Sequence, residues 1–146
     1  MGCLDPKDPA GIPVGDHMVI VRLSVMMPPD RINPGIEGRL ERVVDGDLIT
    51  NHVGGKGTFA TPAMIGLMEI TCHRSLESFL PEGQTTVGYE VHVRHVAPTA
   101  PGSIIVVTTK LTEVKGNKLY FEVACHQGDL MVGSGIHKRA IVPADF

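Results

Sequence analysis

Phe59-Ala60-Thr61-Pro62-Ala63-Met64-Ile65-Gly66-Leu67-Met68-Glu69-Ile70-Thr71-Cys72-His73-Arg74-Ser75-Leu76 is the stretch whose reading decides the fold. Threonine suits a helix N-cap and proline the first helical position, so Thr61-Pro62 predicts a helix start. The helix should run to about Phe79 and stop before Pro81 and Gly83. Ile65, Met68, Cys72 and Leu76 recur on one face at helical spacing, and the opposite side holds Leu67 and Ile70. A helix apolar most of the way round is buried, so this one is expected at the centre of the fold.

The chain after the helix is β-rich. Residues 85–96, 103–114, 118–126 and 130–142 read as four strands. The connections at 97–102, Lys115-Gly116-Asn117 and Gln127-Gly128-Asp129 are of the kind that join adjacent antiparallel strands. Before the helix, residues 17–26 have the composition of a first strand. Residues 38–44 and 48–53 are expected to pair as a hairpin around Asp45-Gly46-Asp47, followed by a flexible Gly54-Gly55-Lys56-Gly57 loop. Residues 1–16 carry Pro6, Pro9 and Pro13 and read as a loose arm. One long helix against one antiparallel sheet is an α+β architecture. Residues 17–146 are expected to form one domain, with a candidate lid or insertion at 30–58.

At 146 residues, 42% hydrophobic and 20% charged, this is an ordinary globular composition. A net charge of -3 lacks the basic field that nucleic acid requires. The three cysteines, Cys3, Cys72 and Cys125, are odd in number and irregular in spacing, which is no disulfide framework. The first residues show no basic region followed by an apolar one, and no apolar run approaches membrane-spanning length. The expectation is a reduced, cytoplasmic protein with no membrane or nucleic-acid partner.

Several residues are candidates for chemistry. Glu69 is a carboxylate in mid-helix, costly to bury unless it has partners or a task; a water-filled edge is the alternative. His95 ends the alternation Val87, Tyr89, Val91, Val93, His95, the face expected to pack on the helix, while Glu90, His92 and Arg94 face away. It is a candidate to meet Glu69, the alternative being a core-edge histidine bonded to a carbonyl. That alternation also disfavours zinc, since His92 and His95 point oppositely. The Thr61 hydroxyl and the helix-start amides suit an oxyanion as well as a cap. Gly88 within a strand marks a bulge or a close approach. Arg139, in a basic cluster with His137 and Lys138, is either part of a solvated face or an anion contact. Cys72 is a poor nucleophile, because apolar surroundings raise a thiol's pKa. The sequence has no nucleophile elbow, P-loop or dinucleotide fingerprint.

The stretch Phe59–Glu69 quoted above resembles the helix motif of the fluoroacetyl-CoA thioesterase-like family. Thr86-Val87-Gly88-Tyr89-Glu90-Val91-His92-Val93-Arg94-His95-Val96-Ala97-Pro98-Thr99 and Gly133-Ser134-Gly135-Ile136-His137-Lys138-Arg139-Ala140 resemble two further motifs of that family. The resemblance runs over roughly residues 58–142, in order. It implies a hotdog fold, a sheet wrapped around one long helix, and a homodimer with its site near the subunit interface. It implies an acyl-CoA thioesterase acting on a small acyl-CoA, with Thr61, Glu69 and His95 catalytic, Gly88 and Arg139 lining the acyl pocket, and no cofactor beyond the CoA of the substrate. Where the fluoroacetyl-selective pattern has an aromatic-bearing segment before the helix motif, this chain has Gly54-Gly55-Lys56-Gly57, a departure that bears on fluoroacetyl selectivity and not on thioester hydrolysis. Two rival readings are a hotdog enoyl-CoA hydratase, suggested by Asp47 and His52, and a non-catalytic acyl-CoA binding module.

Overall fold

In this computed structural model residues 30–145 are described in full; before them only the backbone of Leu4–Asp5 (β1) and Lys7–Gly11 (β2) is described, as a short antiparallel ladder. The expected strand at 17–26 lies outside the described residues. Then follow β3 (Glu37–Val43), a 3-10 turn at Gly46–Leu48, β4 (Ile49–Thr50), β5 (Thr58–Phe59) and helix α1 (Thr61–Leu76). A second 3-10 turn, Glu77–Phe79, ends the helix, and β6 (Gln84–His95), β7 (Ile104–Lys115), β8 (Lys118–Gln127) and β9 (Leu130–Pro143) complete the chain. Five strands form one antiparallel sheet in the order β3-β7-β8-β9-β6, with α1 against its inner face. This is the expected hotdog arrangement.

The helix begins where proline allows it, but the cap is Ala60, in an extended conformation, and not Thr61. Thr61 is the first helical residue, and its hydroxyl is used elsewhere. Met64, Leu67, Met68, Thr71, Cys72 and Leu76 are buried against the sheet, where they meet Ile105, Leu111, Leu119, Phe121 and Ile141. The helix is not buried all round, since Ile70 is 42% exposed. No helix among the described residues is long and apolar enough to cross a membrane.

Three local expectations are corrected. The hairpin at 38–44 and 48–53 does not form: β3 pairs with β7, and β4 pairs with β5. β3 is needed beside the helix, and the missing side chain of Gly38 lets it approach, a Cβ there lying 3.0 Å from the Thr71 carbonyl. Second, β6 lies beside β9 and not β7, so residues 96–103 cross the end of the sheet. Pro98 and Pro101 cannot donate to a ladder, and buried Thr99 instead ties the crossing to β5, its carbonyl accepting from Phe59 N at 3.0 Å. Third, the register of β6 slips between Gly88 and Glu90, leaving Tyr89 as an extra residue. The bulge changes which parity faces inward. Thr86 and Gly88 lie on the helix side before it, and Val91, Val93 and His95 after it; Val87 and Tyr89 do not share the His95 face.

The sheet coils tightly where β9 meets β6. A Cβ on Gly133 would lie 2.6 Å from Met64 Sδ, and one on Gly135 would overlap the His92 carbonyl oxygen. Backbone cannot yield as a flexible side chain can. Gly135→Ala should therefore lower the unfolding free energy by about 2–3 kcal/mol, read from urea denaturation; an unchanged midpoint would show that the strand relaxes freely.

Candidate active site

Folding brings together the two ends of the first and second motifs. Thr61, at the start of α1, and His95, at the end of β6, are hydrogen-bonded, Oγ1 to Nδ1 at 2.7 Å. Phe59 packs edge-on to the imidazole, with centroids 5.9 Å apart. Burial pushes the His95 pKa below its ordinary 6.5, while the Ala97 carbonyl pulls the other way. His95 Nε2 is buried without a hydrogen-bond partner among the described residues. With the proton on Nε2, the Thr61 hydroxyl donates to Nδ1. The pair lines a cavity of about 570 Å³ at the N-terminus of α1, which Thr50, His52 and Val53 also line. A larger groove, about 950 Å³, crosses the sheet over Arg39, Lys110 and Glu122, and none of the candidate residues lines it.

The second group lies further along the helix. His137 and Arg139 are buried, 1% and 7% exposed, so the basic cluster is no solvated face; only Lys138 points outward, where it pairs with Glu90 at 3.1 Å. Arg139 donates from Nε to Thr86 Oγ1 at 2.9 Å, from Nη2 to the Thr86 carbonyl at 2.8 Å and to His73 Nδ1 at 3.3 Å, and from Nη1 to His137 Nε2 at 3.1 Å. A guanidinium can only donate, which settles both imidazole tautomers. His137 carries its proton on Nδ1 and donates to the Glu90 carbonyl at 3.0 Å. His73 accepts on Nδ1 and carries its proton on Nε2, 3.8 Å from Glu77. Burial lowers the His137 pKa, with the Glu90 carbonyl raising it and the Arg139 charge lowering it further.

Gly88 completes this group. A Cβ there would lie 2.8 Å from the His137 ring and 3.2 Å from Arg139 Nη1, so only glycine leaves the guanidinium open. The bulge expected at Gly88 is present, and what approaches the glycine closely is a pair of side chains. Glu69 is half-buried and has no hydrogen bond or ion pair among the described residues, yet its charge reaches Arg139 and His137. Burial pushes the Cys72 thiol up to about 12, as expected for a non-nucleophile. No cluster of metal-ligating side chains occurs among the described residues, and His92 is turned outward onto Glu90. The Asp47–His52 pair of the hydratase reading is not formed: the ring bonds Thr50 Oγ1 at 2.6 Å.

The five candidates thus form two groups on one chain. Eight residues at 1.5 Å rise put Thr61 and Glu69 about 12 Å apart along the helix. Gly88 and His95 lie roughly 20 Å apart along β6 at about 3.3 Å per residue. His137, His73 and Thr86 were not singled out in the sequence as site residues. Strand parity with Arg139 would have found His137; nothing short of the fold would have found the other two.

The family model for fluoroacetyl-CoA-specific thioesterase matches residues 43–145. The fluoroacetyl-CoA thioesterase of Streptantibioticus cattleyicolor is 40% identical over 84 residues, 58% of this chain and 60% of that protein, so the chain matches less than two thirds of its curated relative. A structure of the fluoroacetyl-CoA-specific thioesterase with fluoroacetate and CoA aligns at 31% identity and TM-score 0.70, covering 78% of this chain and 98% of that one. A thioesterase superfamily member from Thermus thermophilus aligns at 27% identity and TM-score 0.71, covering 78% and 86%.

Both buried histidines bear on stability. Unfolded, they take up protons around pH 6.5; folded, at a lower pH. The unfolded state therefore binds more protons in that window, and stability falls as pH drops below about 6.5. The urea midpoint should be lower at about pH 5 than at about pH 7.5, and His137→Gln should flatten the dependence. A midpoint that rose on acidification would contradict the assigned neutral states.

Proposed function

The chain belongs to the fluoroacetyl-CoA-specific thioesterase family, and from that premise we propose that it hydrolyses a small acyl-CoA to the free acid and CoA. The observation that carries this reading is the Thr61–His95 pair at the mouth of a cavity at the start of α1. A thioester has a good leaving group, so the protein must supply a nucleophile and stabilise the carbonyl oxygen. Glu69, half-buried and without a hydrogen bond or ion pair among the described residues, either attacks the carbonyl carbon or takes a proton from water as the water attacks. His95, neutral at physiological pH, orients that water or passes a proton to the departing sulfur, and Thr61 holds the ring. The helix-start amides of Thr61 and Ala63 have no partner within the helix and suit the oxyanion; Met64 N already donates to Ala60 at 3.0 Å. In this reading Gly88 and Arg139 line the acyl pocket, the missing side chain of Gly88 leaving the guanidinium uncrowded. No cofactor is needed beyond the CoA of the substrate.

The two groups require a second copy in this reading. β6 is an edge strand among the described residues, and an open edge invites antiparallel pairing. Two copies paired about a two-fold axis between Val91 and His92 would set His95 of one opposite Gly88 of the other. That arrangement would close the roughly 20 Å gap left along one strand, making a homodimer with a shared site. A reducing, cytoplasmic setting suits the free thiols of Cys72 and Cys125.

Thiol release from acetyl-, fluoroacetyl- and butyryl-CoA tests the activity. Glu69→Gln and His95→Ala should each lower turnover by about 10²–10⁴-fold with the fold intact; full activity in both would refute the assignment. The value of kcat/KM should hold down to about pH 6.5 and fall below it as His95 takes up a proton. Refolding Glu69→Gln together with His95→Ala should restore about a quarter of wild-type activity, the share of intact sites in mixed two-fold pairs. No recovery would place all catalytic groups on one chain.

A further inference from the structure

The cavity over Thr61 and His95 holds a second threonine–histidine pair that the proposed reaction does not use. Thr50 Oγ1 and His52 Nδ1 are 2.6 Å apart, and both residues line the same cavity as the first pair. With Nδ1 engaged, Nε2 is the nitrogen left for a ligand.

This wall is fixed relative to Thr61. Thr50 pairs with Thr58 and Ile49 with Phe59 in the β4–β5 ladder, two residues before the helix. Ala60 N donates to the Leu48 carbonyl at 2.8 Å, and Thr58 Oγ1 to the Thr99 carbonyl at 3.1 Å. The loop that follows His52 folds back onto the same ladder. Gly57, at φ +86°, lies so close that a Cβ would stand 2.6 Å from Asn51 Oδ1 and 2.8 Å from the Thr50 carbonyl. Glycine at this position is what lets the loop return without displacing the His52 wall.

A cavity of about 570 Å³ is far larger than an acetyl group needs. Its lining combines the apolar Val53, Phe59 and Val96 with the polar Thr50, Thr58, Thr61 and His95. A small number of placed polar side chains fixes the orientation and identity of a ligand in a pocket; Thr61 and His95 serve the proposed reaction and Thr58 is engaged with the Thr99 carbonyl, which leaves His52. We propose that His52, held by Thr50, is a specificity-determining residue that hydrogen-bonds a polar group of the thioester near the reacting carbonyl. That group is a hydroxyl on an acyl chain of about four carbons, or the first amide of the pantetheine arm. The inference rests on the thioesterase reading.

The test is kcat/KM for thiol release by the full chain and by His52→Ala, with 3-hydroxybutyryl-CoA, butyryl-CoA and S-ethyl thiobutyrate, which has no amide. If the acyl hydroxyl is the partner, wild type should prefer 3-hydroxybutyryl-CoA over butyryl-CoA by about tenfold, the worth of one hydrogen bond, and the variant should lose that preference. If the amide is the partner, the loss should be about tenfold greater for both CoA thioesters than for S-ethyl thiobutyrate. His52→Gln, which keeps a hydrogen-bonding end, should restore much of either effect. Gly57→Ala should shift selectivity the same way as His52→Ala. Changes within about twofold, or an equal loss on all three substrates, would overturn the role of His52 while leaving the thioesterase reading intact. A wild-type protein that releases no thiol from any of the three would overturn both.

Discussion

The packing of α1 on the inner face of the sheet is the constraint from which the site follows. Met64, Met68, Cys72 and Leu76 are fully buried against Ile105, Leu111, Leu119 and Phe121. Burying each large apolar side chain is worth about 1.5–3 kcal/mol, so the helix has one strongly preferred rotation. That rotation decides everything polar on it. It turns Thr61 to the end of β6, leaves Glu69 at the margin of the core, and sets His73 over Thr86 and Arg139. Chemistry is thus placed by apolar contacts that take no part in it.

The buried guanidinium illustrates a second constraint. Arg139 is nearly inaccessible yet has no carboxylate in contact among the described residues; its N–H groups are met by a hydroxyl, a carbonyl and two imidazole nitrogens. Satisfying the hydrogen bonds keeps the desolvation cost bearable, while Glu69 acts on the charge without touching it. A cradle of carboxylates would have neutralised the field that an electron-rich substrate atom would meet. The same donors hold His137 and His73 in single tautomers, so the cluster is rigid as well as charged.

The edge position of β6 links these two regions. Its Gly88 bulge turns Thr86 and Gly88 toward Arg139 at one end and His95 toward Thr61 at the other. A regular strand of the same sequence would present one of these regions and hide the other, because a one-residue slip exchanges faces. A strand carrying a glycine at its irregularity can serve both.

The sequence by itself determined the class of fold and most of the candidate residues. The helical period of 61–76, the four β-rich runs after it and the three linked motifs were all legible, because each is a local pattern carried by neighbouring residues. Thr61, Glu69, His95, Gly88 and Arg139 could be named from it, but not their grouping. Only the tertiary structure decided that β6 lies beside β9, that β3 pairs across the chain with β7, and that the bulge at Tyr89 reverses a face. It alone moved Thr61 from cap to partner of His95, buried Arg139, and put His52 in the same cavity as Thr61 and His95. The reason is physical: strand order, register and burial are set by contacts between residues distant in sequence, and no local periodicity encodes which distant partner wins.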